Sequence, residues 1–385
     1  MQYAMAIPMN TTNYASLNRG RRYSTYWCAY GTTVSERARQ VIDQRQAVEV
    51  PIADADSFFS SLTERVEAIE SLHQPDPLST ELAVAMAKRY LSEPRHRIRL
   101  EDLYAEEAGR VFDYTRGAEL PVDTASGTTG GALRGRLSRY EASTETLCQL
   151  AATLAWYDDG SAGYVLTRAI ERLASPVVPS GRPLLLELMR YPALRISLAA
   201  GMASIASGRF AHLRAVLADP TTRTSRGTEP LIHTLNCAYL FGQCARYLFP
   251  GRERAGGSEH LWGSLREVLR RHVTSDEDYA RAFYLFEFLT SLIATDLSGG
   301  QPPIPVGSFR SEWDAVPYVE DLVRSVAVEG QAGRLLKSGL FGGSGDRFRA
   351  ALARCQEVLN SEGYLYPVKW PDLVSRFDEA AQAGG

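Results

Sequence analysis

The sequence predicts a mainly α protein, an irregular helical bundle or α-solenoid preceded by a small α/β fragment. Three observations predict it. From Leu82 onward apolar residues return at helical spacing, and no stretch carries a convincing strand pattern. Clusters of Gly, Pro and Ser cut that region into segments of about 10–20 residues, the lengths found in irregular α folds. Ahead of it, residues 21–69 read as strand, helix, strand, helix.

The N-terminal elements follow from local chemistry. The β-branched and aromatic run at 23–30 favours a strand. Thr33 or Ser35 can cap a helix from Glu36 to about Arg45. Val48 to Ile52 forms a second strand, and Asp54 to Ser57 supply polar caps for a helix with Phe58, Phe59, Leu62, Val66 and Ile69 on one face. The strands are expected to be parallel, with a right-handed crossover through the helix at 36–45. Trp27 and Phe59 are expected to be buried. Two parallel strands and one crossover helix cannot cover both sheet faces, so residues 1–18, the helical domain or a second copy of the chain must cover them; the chain is expected either to dimerise there or to be locally disordered over its first ~70 residues, and its expected partner is a second copy or another protein.

The stretches Arg21-Arg22-Tyr23-Ser24-Thr25-Tyr26-Trp27, 35–52 and 53–70 resemble the last part of bacterial sirtuin-like domains of the NAD-hydrolysing, phage-defence kind. The resemblance runs on through His73 to Thr80 and Ala87 to Leu91, and covers about 19–110. It implies that the fragment is the end of a Rossmann-type sheet and that NAD is the cofactor. It also implies that the loops after the last two strands border the adenosine end of NAD: Ala29, Tyr30 and Gly31, then Ala53, Asp54, Ala55 and Asp56. Asp54 and Asp56 serve equally as ordinary helix caps, and Tyr30-Gly31 as an ordinary turn. The family's glycine-rich phosphate loop, pocket His and ribose-side Asn or Asp have no match here, because residues 1–18 contain no Gly, His or Asp. The catalytic half is therefore expected to be missing, and the chain alone to be inactive on NAD. The segment 189–210 is similar to a helix pair common in the helical halves of these proteins.

The organisation expected is an N-terminal segment 1–18, the sheet fragment 19–72, linking helices and a loop over 73–135, and a helical domain over 136–385. The helical patterns span 82–91, 100–114, 136–157, 163–173, 184–189, 194–205, 211–217, 230–248, 260–271, 279–297, 316–326, 334–339 and 346–359. Adjacent units share no repeat of about 34–45 residues.

Composition excludes several function classes. A net charge of -3 gives no electrostatic case for nucleic acid. Of 42 basic residues only Lys88, Lys337 and Lys369 are lysines. The clusters Arg19, Arg21, Arg22 and Arg95, His96, Arg97, Arg99 read as solvated faces or helix-end charges. Five cysteines without a Cys-x-x-Cys pair speak against a disulfide framework or zinc ribbon. Cys237 and Cys244 fall on one face of the helix expected at 230–248, with no His or acidic residue to complete a site. The six histidines never stand three or four apart, so no helix carries a His pair for metal. No signal peptide opens the chain and no apolar run nears the roughly 18–20 residues of a membrane span, so the reading is cytoplasmic. Phe341 to Arg347 and Ser126 to Gly131 are glycine-rich but follow no strand and lack Gly-Lys-Ser/Thr, so both read as flexible loops and not phosphate loops. Asp276, Glu277 and Asp278 sit at a helix start, where capping and the macrodipole explain them.

These readings leave a helical sensing or assembly domain of a sirtuin-like NAD-consuming antiphage effector, or a non-catalytic helical protein-interaction module. No catalytic residue and no metal ligand is assigned.

Overall fold

The computed structural model describes residues 79–123, 128–175, 180–224, 227–298, 307–361 and 368–384. All fall in one compact unit, Leu78–Gly385. The strands at 23–30 and 48–52, their helices, Trp27, Phe59 and the candidate cofactor residues Ala29, Tyr30, Asp54, Ala55 and Asp56 lie outside the described residues.

The centre of the unit is a pair of helices, α3 (Gly130–Tyr157) and α6 (Tyr191–Ala206). Thr129 starts α3 by accepting the Ala132 N–H on its Oγ1. The second half of α3, from Leu147 to Ala155, is buried on nearly every side, as is α6 from Tyr191 to Ile205. Both stretches are rich in Ala and Leu, and small side chains let two helices approach while longer ones fill the gaps. Arg195 is the exception inside this pair. It is only 2% exposed and donates to the Glu141 carbonyl (2.8 Å), the Thr144 hydroxyl (2.6 Å) and the Ser264 carbonyl (3.1 Å). Those bonds replace the water a guanidinium loses on burial.

Around the central pair, α1 (Thr80–Leu91) and α2 (Arg97–Arg116) pack on α3, and α4 (Gly163–Ala174) packs on α2 and α6. The helices expected as linkers before residue 136 thus belong to the same unit. On the far side of α6 lies α11 (Asp276–Leu297), started by Ser275, whose hydroxyl accepts the Asp278 N–H at 3.3 Å. Beyond α11 come α12 (Ala315–Glu329), α14 (Gly345–Ser361) and α15 (Leu373–Gly384). The short α5 (Pro183–Leu188), α7 (Leu213–Leu217), α8 (Cys237–Phe241), α9 (Ala245–Leu248) and α13 (Arg334–Lys337), with the longer α10 (Gly256–Leu269), complete the helical order. One continuous apolar core runs from Ala83 to Phe377. Helices distant in sequence, such as α3 and α10, meet in it, which makes this a bundle and not a solenoid of neighbour-only contacts.

Four expectations are corrected. No strand is expected after Leu82, yet β1 (Thr221–Thr224) and β2 (Gly227–Pro230) form an antiparallel hairpin with Thr222 opposite Glu229. Three threonines in four residues favour the extended backbone, although the run is too short and polar for an alternating pattern. The single helix expected at 230–248 is broken into a 3₁₀ turn, α8 and α9. Asn236 breaks it: its Oδ1 accepts the Tyr239 N–H at 2.9 Å, and its Nδ2 donates to the Ile232 and His233 carbonyls. The helix α15 was not expected, its pattern being short and preceded by Pro367 and Pro371. The glycine-rich stretch at 341–347 holds a tight turn in which Phe341 is buried at φ 53°, its ring 5.1 Å from that of Phe348.

Candidate functional site: a cleft at the start of α10

The break in the 230–248 segment shapes a cleft at the start of α10. The short helices α8 and α9 are separated by a turn at Gly242 to Cys244, and the chain then begins α10 at Gly256-Gly257, against which α8 and α9 both pack. Both glycines are required there. A Cβ on Gly256 would lie 2.4 Å from Phe249 Cβ, and one on Gly257 would lie 2.6 Å from Phe241 Cδ2 and 2.8 Å from Cys237 Sγ. Bare backbone at the start of α10 therefore lets α8 and α9 close against it. A cleft of about 590 Å³ opens between these elements and the start of α5.

The cleft has an apolar floor and a basic rim. Phe241 is buried, and its ring meets Tyr191 (5.8 Å) and Phe249 (5.4 Å) edge-on. Cys237, Ala238, Leu184 and Pro183 continue the apolar lining. Arg182, Arg246 and Arg254 also line it, against a single carboxylate, Glu253. Glu253 is already engaged by the Gly251 N–H at 2.8 Å, and backbone hydrogen bonds hold its pKa below the ordinary range. Arg246 lies over the Tyr247 ring at 4.7 Å.

Beneath the floor sits a buried carboxylate. Glu287, in the middle of α11, accepts the Ser258 hydroxyl at 2.5 Å, the Ser308 hydroxyl at 2.9 Å and the Phe309 N–H at 3.2 Å. Burial pushes the Glu287 carboxyl above its ordinary pKa, while these hydrogen bonds pull the other way. Ser258 Oγ also lies 3.5 Å from Cys237 Sγ. The hydroxyl has one proton, which goes to the stronger acceptor, the carboxylate. Burial, and then the negative field of Glu287, pushes the Cys237 thiol up; it stays protonated and is no nucleophile. The Cys244 thiol is likewise pushed up, to about 12, by burial.

A second polar cluster lies further along α10. Glu141 of α3 accepts the Tyr191 hydroxyl at 2.7 Å and stands 2.6 Å from His260 Nε2. Burial alone would raise the Glu141 pKa, but the bonds from His260 and Tyr191 hold it below the ordinary range.

The sequence placed Cys237 and Cys244 on one helical face, with no His or acidic residue to complete a site. The structure corrects the shared face. Cys237 opens α8 while Cys244 precedes α9, and Glu287, fifty residues on, reaches Cys237 through Ser258. Ser258, Glu287 and the three rim arginines were not singled out. The available signal was the Asn236 cap with Gly242 and the Gly256-Gly257 pair, which mark where the chain turns back. Among the described residues no three His, Cys, Asp or Glu side chains gather to hold a metal, and no helix is long and apolar enough to cross a membrane. The cysteines at 148, 237, 244 and 355 are all free.

No protein-family model matches this chain, and neither the curated proteins nor the solved structures contain a match to it.

Proposed function

We propose that this chain is the helical sensing portion of a sirtuin-like, NAD-consuming antiphage effector, acting in the cytoplasm, and that its trigger is a small molecule read in the cleft beside α10. The observation that carries the sensing role is the cleft itself: about 590 Å³, with an apolar floor and three arginines on its rim. A concave site with an apolar lining and a few convergent polar groups is the usual form of a small-molecule site. The protonated, hydrogen-bonded Cys237 and the fully engaged Glu287 suit binding better than bond-making. NAD enters the reading through the resemblance alone, at Ala29, Tyr30, Asp54, Ala55 and Asp56.

The test fills the cleft without touching its charges. Ala238 lines it and is exposed, so Ala238→Trp projects a ring into the space. Small metabolites screened by thermal shift are expected to include compounds that raise the Tm of the wild-type chain by several degrees and leave Ala238→Trp unmoved. Equal stabilisation of both proteins would defeat the reading. The purified chain is expected to release no nicotinamide from NAD above background; release that is lost on substituting any of its residues would assign it catalysis.

The interaction-module reading is favoured by one observation. Trp313 is 59% exposed between Glu312 and Asp314, a large apolar side chain left mostly to solvent. A stoichiometric complex captured by the wild-type chain but not by Trp313→Ser would support that reading.

A further inference from the structure

We propose that the ligand of the cleft is a phosphorylated small molecule with an apolar or planar body, an inference that rests on the cleft being a sensing site. Three guanidiniums face one shared space from three different segments: Arg182 just before α5, Arg246 in α9 and Arg254 in the turn before α10. Among the described residues none of the three makes an ion pair, and they outnumber the one carboxylate on the lining, Glu253, which accepts the Gly251 N–H and keeps its negative charge. The chain as a whole is acidic, at -3, so this basic concavity runs against its overall charge. Neighbouring Arg252, by contrast, is neutralised by Glu259.

Guanidinium is the side chain best shaped for phosphate, because its planar donors meet two oxygens at once. Three of them about one cleft exceed the need of a single carboxylate and suit a phosphate or diphosphate. The first turn of the fourteen-residue α10 reaches the cleft through Gly257 and Ser258, but it carries Glu259 and stands on Glu287, so the positive charge of the site comes from the three arginines. The floor calls for the rest of the ligand. Phe241, Ala238, Leu184 and Pro183 offer a surface for a ring or alkyl body, and the volume accommodates one with its phosphates.

Isothermal titration of the full chain with ADP, adenosine and pyrophosphate tests the inference at low and moderate salt. ADP is expected to bind, with adenosine at least about tenfold weaker and with affinity falling as salt rises. The double variant Arg182→Gln/Arg254→Gln, at two exposed positions, is expected to weaken ADP at least about tenfold while leaving adenosine unchanged. Pyrophosphate is expected to bind the wild type and lose that binding in the double variant. Equal affinity for ADP and adenosine, or an ADP affinity that survives the double variant, would overturn the phosphate inference. Two further outcomes separate the layers. Adenosine binding that Ala238→Trp abolishes and the glutamines leave intact keeps the cleft as a ligand site and removes the phosphate. ADP binding untouched by Ala238→Trp removes the cleft reading itself.

Discussion

Ser258 and Glu287 are joined by a 2.5 Å hydrogen bond that ties the first turn of α10, on the cleft floor, to the middle of α11. Through its other oxygen Glu287 also holds Ser308 and Phe309. Arg310, next in that turn, offers its carbonyl to the Trp370 indole N–H at 3.0 Å, and the Phe309 and Trp370 rings stand 5.8 Å apart. One carboxylate thus links the cleft to the C-terminal helices.

Removing that carboxylate is expected to cost far more than removing one donor. Glu287→Ala leaves two hydroxyls and a buried N–H without an acceptor, and a loss of about 3 kcal/mol is expected. Ser258→Ala leaves Glu287 with two of its three donors and is expected to cost about 1 kcal/mol. Urea unfolding of both variants checks the order. Equal losses would show that Glu287 acts only through Ser258.

A single hydrogen atom sets the spacing of α6 and α11. A Cβ on Gly201 would lie 2.0 Å from Phe286 Cε2 and 2.2 Å from its Cδ2. Alanine normally stabilises a helix interior by about 1 kcal/mol over glycine. Overpacking a close contact costs about 1–3 kcal/mol, and this one is too close for the buried ring to yield. Gly201→Ala is therefore expected to destabilise by about 2 kcal/mol. Gly263→Ala in α10, where a Cβ meets nothing within 4 Å, is expected to stabilise by about 0.5–1 kcal/mol. Chemical denaturation distinguishes the signs.

Stability is expected to fall in mild acid because of His272. Burial, and then the positive fields of Lys88 and Arg271, lower its pKa from 6.5 to about 4. The ring lies against Trp156 and Tyr157 and 3.3 Å from the Thr153 hydroxyl. A depressed histidine pKa means the unfolded chain takes up the proton first. Its contribution is whole above pH 6.5 and is lost as pH falls toward about 4. The loss is expected to be about 2 kcal/mol, below the full linkage value because the ring edge approaches solvent. In Tm measured against pH, His272→Gln is expected to flatten this limb between pH 6.5 and 4. An unchanged limb would place the proton uptake elsewhere.

Arg195 is expected to be the costliest arginine to truncate. Arg195→Ala removes the donor shared by Glu141, Thr144 and Ser264 and empties a fully buried site between α3, α6 and α10, for an expected loss of about 3–5 kcal/mol. Arg195→Met retains the packing of the stem and is expected to lose less. A methionine variant as unstable as the alanine one would assign the whole effect to the hydrogen bonds.

Local sequence determined the long helices almost by itself. Those expected at 163–173, 279–297, 316–326 and 346–359 are present as α4, α11, α12 and α14, each within a few residues, because apolar spacing of 3.6 and Ser or Gly boundaries act over a single turn. The acidic start of α11 is capped by Ser275 as capping chemistry requires. Only the tertiary structure decided the cleft. Asn236 outweighs the helical propensity around it because its side chain satisfies both the helix it starts and the turn before it. Ser258 and Glu287 are 29 residues apart and meet because α10 and α11 share one core. Arg182, Arg246 and Arg254 look in sequence like any other solvated arginines. Their convergence arises from the path of the backbone through Gly242, Gly256 and Gly257, and charge on a long side chain carries no periodicity that would reveal it.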